Sequence, residues 1–106
     1  MRSDPPRARL YLRERMRDDE GNLFELVVWH VPKGKRSPDG IRYRFAFVPR
    51  GQGEPAVLYD NHHPKGHHRH VGGEETSIVY EGVSALRAAF EEDVRKWRKG
   101  NLGGSA

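Results

Sequence analysis

Strict alternation is the pattern that most limits what this chain can fold into. In IRYRFAFV (41–48), Ile41, Tyr43, Phe45 and Phe47 fall on one side and Arg42 and Arg44 on the other, which is how a strand with one buried face reads. RARLYLRERM (7–16) alternates in the same way. Ala8, Leu10 and Leu12 are expected on one face, and Arg7, Arg9, Tyr11, Arg13 and Arg15 on the other. LFELVVWHV (23–31) carries β-branched and aromatic residues on both faces, the composition of a central strand. AVLYD (56–60) makes a fourth strand and TSIVY (76–80) is a candidate fifth. Short turns rich in Gly, Pro, Asp and Asn separate the first four strands, as consecutive antiparallel neighbours require. Helical spacing occurs in one place: Leu86, Phe90, Val94 and Trp97 form a single apolar stripe, predicting a helix over 85–99 with Ser84 as its N-cap. The fold class that follows is α+β, a four- to five-stranded antiparallel meander sheet packed by one C-terminal helix.

With 106 residues, splitting the chain would leave pieces too small to bury a core. The expected organisation is a disordered lead over 1–6, one domain over 7–99 and a flexible tail over 100–106. Hydrophobic residues make up 35% and charged residues 32%, so the core is thin and amounts to one sheet face covered by one helix. There is no cysteine, which removes disulfides, thiolate metal sites and cysteine nucleophiles. No apolar run approaches the roughly 20 residues of a membrane span, and MRSDPPRARL lacks a signal-peptide core. A soluble, cytoplasmic protein is the expectation. The net charge of +4 comes mostly from arginine, whose planar fork suits phosphate. A balance this small also fits an ordinary basic surface.

Chemistry concentrates in YDNHHPKGHHRHV (59–71), which holds five of the six histidines. Three readings fit the residue types. In the first, His68 and His70, two apart in an extended segment, point the same way and join His62 in a metal site. Such a site is the weaker alternative, because Lys65 and Arg69 would sit beside the ion and structural zinc draws its ligands from separated elements. In the second, the loop cleaves RNA with no metal and no other cofactor. Attack by a ribose 2′-OH needs a base, an acid and a cation, and histidine titrates near neutral pH. His68 and His70 would then be base and acid in either order, with Lys65 and Arg69 stabilising the phosphate charge. Asp60 and Glu74 would support them as orienting carboxylates, and Arg9, Arg13, Arg42 and Arg44 would hold the RNA backbone. The third reading is a solvated loop rich in histidine by composition alone. Trp29 and Trp97 are expected in the core rather than as base-stacking platforms.

The loop and its flanks also resemble the TumE-like toxins of prokaryotic toxin–antitoxin pairs. The matching residues are Ala8-Arg9-Leu10, Glu25 to Trp29, Val31-Pro32, Tyr43-Arg44, Tyr59-Asp60-Asn61, Lys65-Gly66-x-His68-x-His70, Gly73-Glu74, Ser84 and Leu86 read loosely because they stand closer than in the family, and Phe90 to Val94. They run in order through nearly the whole chain, and the Lys-Gly-x-His-x-His run is the most specific. The resemblance implies a toxin with RNA-directed, ribonuclease-like activity. It also implies neutralisation by a cognate helix-turn-helix antitoxin. A homodimer through an exposed strand edge is compatible with it. His67 departs from the pattern, which has an acidic residue there, so Asp60 or Glu74 would have to orient His68. His62, His63 and His67 are then passengers.

Overall fold

The computed structural model describes residues 7–103. Six strands follow one another as β1 (Arg9–Arg17), β2 (Leu23–His30), β3 (Ile41–Val48), β4 (Val57–Asp60), β5 (His68–Val71) and β6 (Glu74–Ser77), and the helix α1 (Val83–Gly103) closes the chain. The strands form one antiparallel sheet in the order β1-β2-β3-β4-β5-β6. The meander is therefore as expected, with one strand more than the four to five read from the sequence. That strand comes from the histidine segment. Gly72 and Gly73 both take positive φ, 57° and 94°, and make the two-residue turn that joins β5 to β6 with Val71 paired to Glu74. The expected strand over 76–80 accordingly begins two residues earlier and ends at Ser77.

Burial sets the parity of the central strands. Ile41, Tyr43, Phe45 and Phe47 face the helix and are buried, together with Leu26, Val28, Val57 and Tyr59. Leu86, Phe90 and Val94 of α1 close the same core, and Trp97 packs edge-on against Phe47. The apolar stripe thus does what its spacing predicts. The helix is longer than 85–99 at both ends. The Leu86 N–H already bonds the Gly82 carbonyl at 3.0 Å, so Ser84 lies inside the first turn rather than capping it. Residues 100–103 continue the helix instead of starting a tail. The lead expected over 1–6 and the last residues, 104–106, lie outside the described region.

One expectation for β1 is corrected. The pairing Arg9↔His30, Leu10↔Trp29 resumes as Leu12↔Val28, Arg13↔Val27, which leaves Tyr11 as a bulge. A single extra residue moves every side chain before it to the other face. Leu12 packs against the core, but Leu10 goes to the far side beside Trp29, and Arg9 goes to the helix side beside His30. Arg9 is thereby separated from Arg13, Arg42 and Arg44, which share the sheet face away from the helix. Arg87 ties α1 back to this strand through two hydrogen bonds to Glu14, at 2.9 and 2.8 Å.

Candidate functional site

The face away from the helix carries two adjacent rows of side chains that run across the strands. One is Arg13, Val27, Arg44, Asp60, His68 and Ser77; the other is Arg15, Glu25, Ala46, Leu58, His70 and Glu75. Strand pairing alone therefore puts His68 and His70 side by side, with Asp60 and Glu75 as cross-strand neighbours. Their rings sit 5.2 Å apart, centroid to centroid, at 71°. His68 is 5% exposed and forms the floor of the site. The His70 side chain is 35% exposed.

The hydrogens in this cluster are short of the acceptors. His68 Nδ1–H donates to the Gly66 carbonyl at 2.8 Å, a partner only Nδ1–H can satisfy. In the neutral ring that leaves a lone pair on Nε2, which lies 2.9 Å from Asp60 Oδ1 and 3.6 Å from Glu75 Oε2. Asp60 Oδ1 is buried and has no hydrogen-bond donor. In the neutral ring the 2.9 Å contact sets two acceptors face to face, which a proton on Nε2 or a metal cation would relieve. His70 Nε2 approaches Glu75 Oε2 at 3.7 Å. Lys65 Nζ donates to both Glu75 oxygens, at 3.1 and 3.0 Å. That hydrogen bond, aided by the charges of Lys65, His70 and His68, holds the Glu75 carboxyl below the usual carboxylate range.

The structure gathers some of the candidate residues and disperses others. Lys65, His68, His70 and Asp60 converge. Arg69 does not: it pairs with Tyr59 on the helix side, where Nη1 reaches Asp93 of α1 at 2.8 Å and Nε reaches Thr76 at 3.1 Å. Glu74 likewise has the parity of Val71, on the helix side, and the carboxylate beside the histidines is Glu75. The signal for it was the Gly72-Gly73 turn, since a two-residue hairpin sets Glu75 opposite His70. Among the described residues, the three that bring ligand atoms within 4.8 Å of one another are His68, His70 and Glu75; His62 is not one of them. His62 and His63 line a separate small cavity with Arg36, Ser37 and Arg42.

His67 is no passenger. Its Nδ1 meets the Tyr43 hydroxyl at 2.9 Å, its Nε2 meets Asp39 at 2.7 Å, and its ring stacks on Tyr80 at 4.8 Å and 8°. It pins the start of the histidine segment to β3 and to the residues before α1. Asp60, from the neighbouring strand, is the carboxylate nearest His68, with Oδ1 2.9 Å from Nε2.

Along the same face runs a trough. Ala8, Val27, Trp29 and Val31, flanked by Arg42, Tyr43 and Arg44, line a cavity of about 490 Å³. A smaller one, again bounded by Arg42 and Arg44, continues to Asp60 and Asn61. Trp29 is 39% exposed here, so the expectation that it sits in the core is corrected. Its strand is apolar on both faces, but only one face has a helix over it.

On the helix side, the Tyr59 hydroxyl donates to Asp93. Burial, reinforced by that bond, pushes Tyr59 from 10.0 up to about 12. A raised pKa stabilises the fold below the unfolded value and loses that contribution as pH rises through the folded one. The wild-type protein is therefore expected to lose stability between pH 10.0 and about 12 more steeply than Tyr59→Phe. Urea midpoints measured across that range check this, and identical slopes would refute it.

A family model described as Toxin TumE matches residues 1–98, which include the whole sheet and most of α1. The chain belongs to the TumE toxin family. Membership implies an antitoxin partner. No curated protein and no solved structure matches the chain. Among the described residues no helix is long and apolar enough to cross a membrane.

Proposed function

We propose that this TumE-family chain is an RNA-directed toxin that cleaves a phosphodiester bond with His68 and His70 and without a metal. The observation that carries the reading is the pair of imidazoles 5.2 Å apart on a sheet face whose trough is edged by Arg42 and Arg44. His70, the more exposed ring, is the base. It takes the proton from a ribose 2′-OH as O2′ bonds to phosphorus. His68 is the acid, returning a proton to O5′ as the P–O5′ bond breaks, and a 2′,3′-cyclic phosphate remains. Asp60 Oδ1, 2.9 Å from Nε2, orients the His68 ring. Two of the three Lys65 N–H donors are on Glu75, which leaves one for the phosphate oxygen that gains charge.

Arg13, Arg42 and Arg44 follow the RNA backbone across the sheet, and the exposed face of Trp29 offers a stacking surface for a base. Three strand spacings separate Trp29 on β2 from His68 on β5, about 14 Å, a distance a short single strand spans. The neutralising partner in this reading is a helix-turn-helix antitoxin, and both RNA and antitoxin place the toxin in the cytoplasm.

The test pairs a labelled RNA with its all-deoxy counterpart in EDTA. Cleavage of the RNA alone, leaving 2′,3′-cyclic phosphate ends, is expected because only RNA carries the attacking hydroxyl. Intact RNA, or equal cutting of both strands, would sink the mechanism.

A further inference from the structure

We propose that His68, His70 and Glu75 form a binding site for a divalent transition-metal ion of the zinc class, and that this ion competes with the RNA chemistry for the same imidazoles. The cluster uses the side chains of the cleavage reading, but the ion's binding does not depend on that reading being right.

The first support is the excess of lone pairs. With Nδ1–H of His68 committed to the Gly66 carbonyl, His68 Nε2 converges with ligand atoms of His70 and Glu75, all within 4.8 Å of one another, and Asp60 Oδ1 lies behind His68 at 2.9 Å. Asp60 Oδ1 is buried without a donor. Buried acceptors in this state call for a cation. The second support is spacing. Ligand atoms on a tetrahedral ion with bonds of roughly 2.0–2.1 Å lie about 3.3–3.4 Å apart. Glu75 Oε2 stands 3.6 Å from His68 Nε2 and 3.7 Å from His70 Nε2, with Asp60 Oδ1 2.9 Å from His68 Nε2. The two edges from Glu75 to the imidazoles are within a few tenths of an ångström of that spacing.

The surroundings are those of a ligand set. A backbone carbonyl on Nδ1 fixes the His68 tautomer with Nε2 facing inward, as outer-shell partners do in metal sites. Lys65 holds the Glu75 carboxylate in place. A mixed imidazole–carboxylate set favours zinc, cobalt, nickel or ferrous iron over magnesium or calcium. The ligands also come from two paired strands, β5 and β6. They are therefore held by the sheet and not by a pliable histidine tract. An ion on both Nε2 atoms takes the lone pair the base requires and displaces the proton the acid would donate, so its binding would switch cleavage off.

The experiment uses the full chain, tag removed and stripped with EDTA, titrated with Co2+ alone and then with Zn2+. One Co2+ per chain is expected, with the visible absorption of a four- or five-coordinate ion that Zn2+ then displaces. Glu75→Gln and His70→Ala should each weaken binding at least tenfold, and the double variant His62→Ala, His63→Ala should bind as wild type does. Absence of binding overturns the site. So does binding that survives Glu75→Gln unchanged, or that disappears with His62 and His63, since either result describes adventitious capture by the loop. Circular dichroism of each variant separates lost ligands from lost fold, and the wild-type cobalt spectrum reports the ligand geometry without any substitution. RNA added to the stripped protein keeps the two readings apart. Metal binding with uncut RNA refutes cleavage alone, and cleavage with no bound cobalt refutes the metal site alone.

Discussion

His70→Ala is expected to slow RNA cleavage by about 10²- to 10⁴-fold, the usual loss when a general base is removed. Its fold should survive. The ring is partly exposed and makes no hydrogen bond closer than its 3.7 Å approach to Glu75, so the melting temperature should move by less than about 4 °C. Initial rates on a labelled RNA, together with a thermal melt, check both halves of the statement. A variant that cleaves at the wild-type rate removes His70 from the chemistry. The corresponding change at His68 is a poorer probe. His68 is 5% exposed, and its loss would strand the Gly66 carbonyl and leave Asp60 facing a void, at about 1–3 kcal/mol for each unpaired group. Lost activity there could be lost structure.

Phe90→Ala should have the largest effect on stability, a loss of about 3–5 kcal/mol. Phe90 is 1% exposed and meets Phe45 and Tyr59 edge-on at 5.7 and 5.9 Å. It is the central anchor of the one helix that covers the sheet. Native domains hold only about 5–15 kcal/mol in all, so much of the stability of this thin-cored chain would go with it. Urea unfolding measures the change. A loss below about 1 kcal/mol would mean that α1 does not close the core, whereas Phe90→Leu should recover part of the deficit by refilling the cavity.

The parts of this fold that could be read in advance share a cause. In IRYRFAFV, Ile41, Tyr43, Phe45 and Phe47 lie in the core while Arg42 and Arg44 face water, and the Leu86, Phe90, Val94 stripe of α1 is likewise buried. A side chain's partition between water and core depends on its own chemistry, so pattern alone reveals it. The family resemblance was legible for a similar reason, because the matching residues lie in order along nearly the whole chain.

The site was half legible. His68 and His70 could be paired from their spacing, since alternate residues of an extended segment share a face. Glu75 could not be told from Glu74 without the register of the Gly72-Gly73 turn. Arg69 looked like a catalytic cation until pairing with Tyr59 sent it to Asp93 on the helix side. The bulge at Tyr11 divided the arginines that alternation had grouped, and the missing cover over one sheet face brought Trp29 to the surface. Composition and periodicity determined, from the sequence alone, the first four strands, the helix, most of the core and the segment where the candidate site residues concentrate. Which carboxylate, arginine and tryptophan stand beside that chemistry was decided by strand register and by the side on which α1 docks. A one-residue slip costs nothing in composition but turns every side chain to the other face.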